Sequence, residues 1–247
     1  PKRLGSNDFV KGFCAGLLTT CGLDNVGPAS ESNGDSLRTH GSMTLTPADD
    51  FGVTPGWEEE TYVIRLKGRM TDSALFGSSL TLHREIVIKA GAPSFEIIDT
   101  IENTGVTPAN YMLLYHFNFG YPFLSPNLVL TTNCGKPVPR DEAAESGLAE
   151  YAIFSDPIPD YHEQVFYFQS AEEATATLYN VKLGFGVKIE FDGKELPWLV
   201  EWKQVGEQDY AVGIEPALTR PIGRAEAERT GEIGHLLPGQ TKNIRIR

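Results

Sequence analysis

Three observations make this chain read as all-β, a large antiparallel β-sandwich. Ten runs read as strands, most of them rich in β-branched and aromatic residues with period-two alternation. Turn formers such as Ala90-Gly91-Ala92-Pro93, Asn103-Thr104-Gly105 and Asp192-Gly193 punctuate them. Only residues 139–151, with a Glu-Ala-Ala-Glu core, have a helical look.

The predicted strands are residues 61–70, 79–90, 94–103, 111–119, 164–169, 174–180, 184–191, 198–204, 209–215 and 242–247. In the second, Leu80, Leu82, Arg84, Ile86 and Ile88 share one face, with Thr81, His83, Glu85 and Lys89 on the other. An arginine among aliphatics predicts a buried ion pair, with Asp99 as its partner. The run 111–119 is apolar on both faces: Tyr111, Leu113, Tyr115, Phe117 and Phe119 on one, Met112, Leu114, His116 and Asn118 on the other. A strand covered on both faces is central in its sheet, so His116 and Asn118 read as a buried polar pair. Asp192-Gly193, lying between two strand patterns, predicts a tight hairpin.

No repeat or linker divides the 247 residues, which suit one large domain, 1–247. A net charge of -12 argues against nucleic acid and anionic membranes, which select basic patches. No apolar run approaches the roughly 18 residues of a membrane span, and the start lacks a secretory signal. Cys14, Cys21 and Cys134 are an odd count at no recognisable spacing, which argues against a disulfide framework. With no Asn-x-Ser/Thr site, a reducing cytoplasm is the expected location. The first residue is Pro1 rather than Met, which predicts a processed, trimmed or unresolved start. Phosphate loops, Gly-x-Gly-x-x-Gly, Cys-x-x-Cys and the Gly-x-Ser-x-Gly elbow are all missing, which leaves acid–base chemistry or a metal.

Two segments carry candidate chemistry. In Gly213-Ile214-Glu215-Pro216, alternation puts Ala211, Gly213 and Glu215 on one face of a strand and Tyr210, Val212 and Ile214 on the other. Two small residues ahead of Glu215 predict open space before its carboxylate, where the bland alternative is an edge carboxylate paired with Arg220 or Arg224. In Tyr115-His116-Phe117-Asn118-Phe119, His116 is the second proton-transfer group, against a core histidine as the bland alternative. A carboxylate and an imidazole facing one cavity can move protons on and off oxygen near neutral pH. Asn118 shares the face of His116 and can bond a ligand hydroxyl or the imidazole itself. Trp202 and Lys203 precede the Glu215 strand. If those strands pair, one of the two points into the same space, an indole to stack on a sugar or an ammonium to bind hydroxyls or an anion. His40, followed by Gly41, and Arg38 lie at the exit of a polar loop, where a turn residue and a solvated arginine are the plain alternatives. His83 and His235 read as surface residues.

Taken together, these segments resemble the aldose 1-epimerase (galactose mutarotase-like) superfamily, in its bacterial branch of mostly unassigned activity. The matching pieces run in order: residues 16–27, His40-Gly41 with Pro47-Ala48, residues 115–122, Trp202-Lys203, residues 213–217 and residues 236–239. The resemblance implies a β-sandwich with Glu215 as general base and His116 as general acid at a sugar's anomeric carbon. It also implies that His40 contacts the ring oxygen or neighbouring hydroxyls, with no cofactor needed; Arg38, Asn118, Trp202 and Lys203 are the further candidate substrate-binding residues. The chain departs from galactose mutarotases, which carry Asn-Arg upstream of the His-Gly where Asp24-Asn25-Val26 stands here. An equivalent of their substrate-holding Asp is not evident, and the short lead-in predicts that N-terminal strands are lacking. The implied partner is a small sugar; the oligomeric state is left open, with a homodimer among the choices. Two rivals remain at this point: a metal-dependent isomerase or oxygenase using His40, His116 and Glu215, and a non-catalytic sugar-binding sandwich.

Overall fold

The computed structural model of the protein describes residues 16–32 and 34–247; Pro1 and Cys14 lie outside the described residues. The chain forms two compact units. One is built from Cys21–Leu113 and Pro221–Arg247, the other from residues 16–20 and Leu114–Arg220.

Along the chain run β1 (Leu18–Leu23), β2 (Ser30–Ser32), β3 (Asp35–Leu37), β4 (Asp49–Glu58), β5 (Thr61–Ser73), β6 (Ser79–Lys89), β7 (Phe95–Asn103) and β8 (Ala109–Gly120). There follow β9 (Leu128–Thr132), β10 (Val138–Pro139), β11 (Gln164–Gln169), β12 (Glu173–Asn180) and β13 (Phe185–Asp192). The last are β14 (Trp198–Val205), β15 (Tyr210–Ala217), β16 (Gly234–Leu236) and β17 (Thr241–Ile246). Each of the ten predicted strands is present within a few residues of its expected limits.

In the first unit, β4, β5, β6, β7 and β17 pair antiparallel in that order. Leu80 and Leu82 of β6 lie across from Asn103 and Ile101 of β7, and Ile97 from Ile246 of β17. All of these side chains are buried, as alternation predicts for one covered face. The expected ion pair lies among them: Arg84 Nε and Nη2 donate to Asp99 Oδ1 and Oδ2 at 2.8 and 2.6 Å. Asp99 is fully buried and would be costly there without this bidentate partner. The exposed edge strand β4 carries Gly52, Pro55 and Gly56, which blur its alternation and hide it in the sequence.

The second unit holds Leu114–Gly120 of β8, then β15, β14, β11 and β10, all antiparallel in that order. Its other ladder is β13, β12 and β9. The predicted hairpin at Asp192-Gly193 does not form. Strand β13 pairs with β12 while β14 pairs with β11 and β15, so the turn passes the chain from one ladder to another. Asp192 shapes that turn locally, its Oδ1 accepting from Lys194 N and its carbonyl from Leu196 N.

The expected helical segment contains the helix Glu142–Ser146, whose N-terminus is capped by Asp141, and the 3-10 turn Leu148–Glu150. A second helix, Arg224–Thr230, was not expected. Seven residues are marginal as an isolated helix, and this one is held by tertiary contacts: Ala227 is fully buried and Arg224 Nη1 donates to Asp24 O. Among the described residues no helix is long and apolar enough to cross a membrane. Cys134 is a free thiol and Cys21 is buried.

Candidate active site

Directly opposed residues of antiparallel strands share a face, so register maps the second unit's sheet row by row. One row is Val165, Trp202, Gly213 and Asn118; the next holds Tyr167, Val200 and Glu215; a third holds Gln169, Trp198, Ala217 and Leu114. Phe117 opposite Ile214 places His116 beside Glu215 at the end of the second row. The reverse face carries Leu199, Glu201, Lys203, Val212 and Ile214, all buried. On the Glu215 face, Asn118, Trp198, Trp202 and Gln204 are half-exposed. It is the more open of the two.

His116 Nε2 lies 2.9 Å from Glu215 Oε1, with the His and Glu side chains 9% and 3% exposed. The distance is that of an ion pair, yet Oε1 accepts no hydrogen bond from any described residue. A buried carboxylate oxygen whose near neighbour is an imidazole is suited to receive a proton from a bound molecule. Gly213 makes the arrangement possible. A Cβ there would overlap Glu215 Oε1 and approach His116 Cε1 to 2.8 Å. The space ahead of Glu215 is therefore filled by its own carboxylate and the imidazole rather than left empty. The ion-pair partner of Glu215 is His116 rather than Arg220 or Arg224.

Register also decides between Trp202 and Lys203. Trp202 lies on the Glu215 face, its ring centroid 5.7 Å from that of His116 in an edge-to-face arrangement, and its Nε1 donates to Glu163 Oε2 at 2.6 Å. Glu163 is held in turn by Arg140 Nη1 at 2.9 Å. Lys203 points to the reverse face, where Nζ donates to the Glu150 and Ile153 carbonyls at 2.8 and 2.7 Å. As a substrate ligand Lys203 is thus corrected to a core residue. Asn118 is corrected in part: it does not bond the imidazole, and its Nδ2 donates to the Gly16 and His116 carbonyls. On the site face, the sequence reading missed Tyr167 and Trp198, on whose rings the Arg220 guanidinium stacks, 5.5 and 4.7 Å from their centroids. Nothing in their own strands marks the two, because their place follows from pairing with neighbouring strands.

Behind Lys203, Glu201 is fully buried and its two carboxyl oxygens accept no hydrogen bond from described residues. Burial pushes its carboxyl up to about 8 against the opposing pull of Lys203. Between the usual carboxylate value of 4.5 and about 8, the unfolded chain releases a proton that the folded chain keeps. Stability is therefore lost as pH rises through that window. Glu201→Gln removes the loss, so its melting temperature relative to wild type should climb from pH 5 to pH 8 by about 3 °C or more. Thermal melts at the two pH values measure it, and a constant difference would contradict the assignment.

His40 and Arg38 belong to the first unit. His40 has φ 56, its N donates to Gly27 O at 2.9 Å, and its carbonyl accepts from Gly22 N at 3.1 Å. The loop is braced by the dipeptide that departs from the galactose mutarotase pattern. Asn25 Nδ2 donates to the Pro28 and Arg38 carbonyls, each at 2.8 Å, while its Oδ1 accepts from Arg224 N at 2.7 Å. Asp24 Oδ1 accepts from Ser42 N at 2.8 Å, and a Cβ on Gly41 would overlap it. Burial pushes the Asp24 carboxyl up, with the Ser42 and Asn25 amides opposing. Asn25→Ala should cost about 3 kcal/mol in denaturant unfolding, because three backbone groups lose the buried Asn25 side chain as partner at once; a loss under about 1 kcal/mol would show that the loop is held otherwise. Among the described residues no three His, Cys, Asp or Glu side chains are grouped to hold a metal ion.

The antiparallel sheets define the class by fold: a galactose mutarotase-like β-sandwich. The structure matches a protein from Klebsiella pneumoniae subsp. pneumoniae MGH 78578, described as a “putative aldose 1-epimerase”, with TM-score 0.92 and 26% identity over 99% of this chain. This chain spans 65% of that protein's length. A galactose mutarotase-like protein from Clostridium acetobutylicum matches with TM-score 0.67 and 14% identity, over 100% of this chain and 82% of its own. A galactose mutarotase related enzyme from Lactobacillus acidophilus matches with TM-score 0.61 and 14% identity, over 92% and 81%. These last two show the fold alone. No curated protein matches. Residues 3–247 match the family described as Domain of unknown function (DUF4432), and the chain belongs to that family.

Proposed function

We propose that the protein interconverts the anomers of a free sugar by general acid–base catalysis, as an aldose 1-epimerase-like isomerase. The observation that carries this reading is the buried Glu215 Oε1 lying 2.9 Å from His116 Nε2 and accepting no hydrogen bond from the other described residues. The hydroxyl oxygen and the ring oxygen that react are both bonded to C1, so two adjacent side chains suffice to serve them. Glu215, as carboxylate, takes the proton from the C1 hydroxyl. His116, as imidazolium, gives its proton to the ring oxygen as the bond from C1 to that oxygen breaks. The open aldehyde rotates about C1–C2 and recloses on its other face, and the two protons return by the reverse transfers. Each transfer contributes roughly 10²–10⁴ to the rate. The half-exposed Trp202 indole supplies an apolar surface beside the pair, suited to the carbon-bound hydrogens of a sugar ring.

The test is proton NMR of anomer exchange with free, acidic and phosphorylated sugars. The wild-type protein is expected to accelerate exchange of at least one; acceleration of none, with tight binding of one, would turn the reading to a non-catalytic sugar-binding protein.

A further inference from the structure

Tyr167 lies in the same cross-strand row as Glu215, with only Val200 between them. Its side chain shares the Glu215 face, and the residue is 4% exposed. Its hydroxyl is closed off from solvent and makes no hydrogen bond to any described residue. A phenol buried in this way forfeits the hydrogen bonds it would make to water, so the fold carries a cost that phenylalanine at this position would avoid. The ring itself is fixed: Arg220 stacks on it and on Trp198. Burial pushes the Tyr167 phenol up to about 12, so near neutral pH it is a proton-bearing donor. Trp198 and Arg220, which pack beside it, are both half-exposed.

We propose that Tyr167 is a substrate-binding residue whose hydroxyl donates to a sugar hydroxyl other than the one on C1. This rests on the reading of Glu215 and His116 as the pair that faces C1. The energetic logic is that of a site built to recognise an oxygen: the unmet donor is tolerated in the free protein and satisfied in the complex. A sugar lacking the matching hydroxyl leaves the phenol unpaired and is bound more weakly.

The test is Tyr167→Phe, read by thermal melting without ligand and by calorimetric affinity for the best sugar of the panel and for its singly deoxygenated analogues. The variant is expected to melt about 2 °C higher than wild type. Its affinity for the parent sugar should fall three- to tenfold, the loss of one hydrogen bond. One deoxy analogue should lose that factor against wild type and lose nothing further against the variant. A lower melting temperature would overturn the proposal, since the hydroxyl would then be serving the fold. Unchanged affinity, or losses that multiply for every analogue, would overturn it as well. Absence of anomer exchange with these binding results intact would strike the catalytic reading and leave Tyr167 as a ligand in a binding site.

Discussion

Glu215→Gln is expected to slow anomer interconversion by about 10²–10⁴-fold while the fold survives. Glutamine keeps the shape of the side chain and its place beside His116, so packing changes little at a residue only 2% exposed. What it loses is the ability to take a proton. The rate should fall with sugar affinity nearly unchanged, because an interaction made only in the transition state lowers kcat without raising KM. Exchange spectroscopy across a range of sugar concentrations separates the two. A variant with the full wild-type rate would remove Glu215 from the chemistry and with it the proposed mechanism.

Gly213→Ala is the second large effect, and it reaches the same pair from beneath. The added methyl would occupy the position of Glu215 Oε1 and press on the imidazole, both of which are ends of side chains and can move. Overpacking costs about 1–3 kcal/mol, and mobile obstacles favour the lower end of that range. The chemistry has less latitude, since displacing a reacting group by about 1 Å can cost about 100-fold. The expected result is a protein that unfolds nearly as wild type does and has lost at least that factor in anomer exchange. The double variant with Glu215→Gln should be little slower than either alone, because both disable one unit. A Gly213→Ala protein with normal exchange would show that the pair does not act in the geometry seen here.

Much of the sheet was legible in the primary structure. The strand 79–90 shows why: its period-two pattern sorted Leu80, Leu82 and Arg84 onto one face and singled out Asp99 as the buried partner that Arg84 has. The same pattern sorted Gly213 and Glu215 onto one face of β15. It failed where alternation is weak, as in β4 with its glycines and proline, or where stability comes from elsewhere, as in Arg224–Thr230. The Asp192-Gly193 turn was misread because turn chemistry specifies a local reversal and says nothing about which ladder the chain joins next.

The candidate site divides along the same line. Side-chain direction along one strand is a local property, set by covalent geometry, and it suffices to say that Trp202 and Lys203 face opposite ways. Which of them meets Glu215 depends on register, and a slip of one residue would exchange them. The sequence by itself determined the all-β class, the membership of each strand face and the two residue types able to move protons. Only the tertiary structure decided that His116 lies against Glu215, that Lys203 is buried behind them, and that Tyr167 shares their row. Those placements come from hydrogen-bonded pairing between segments far apart in the chain, which no local pattern encodes.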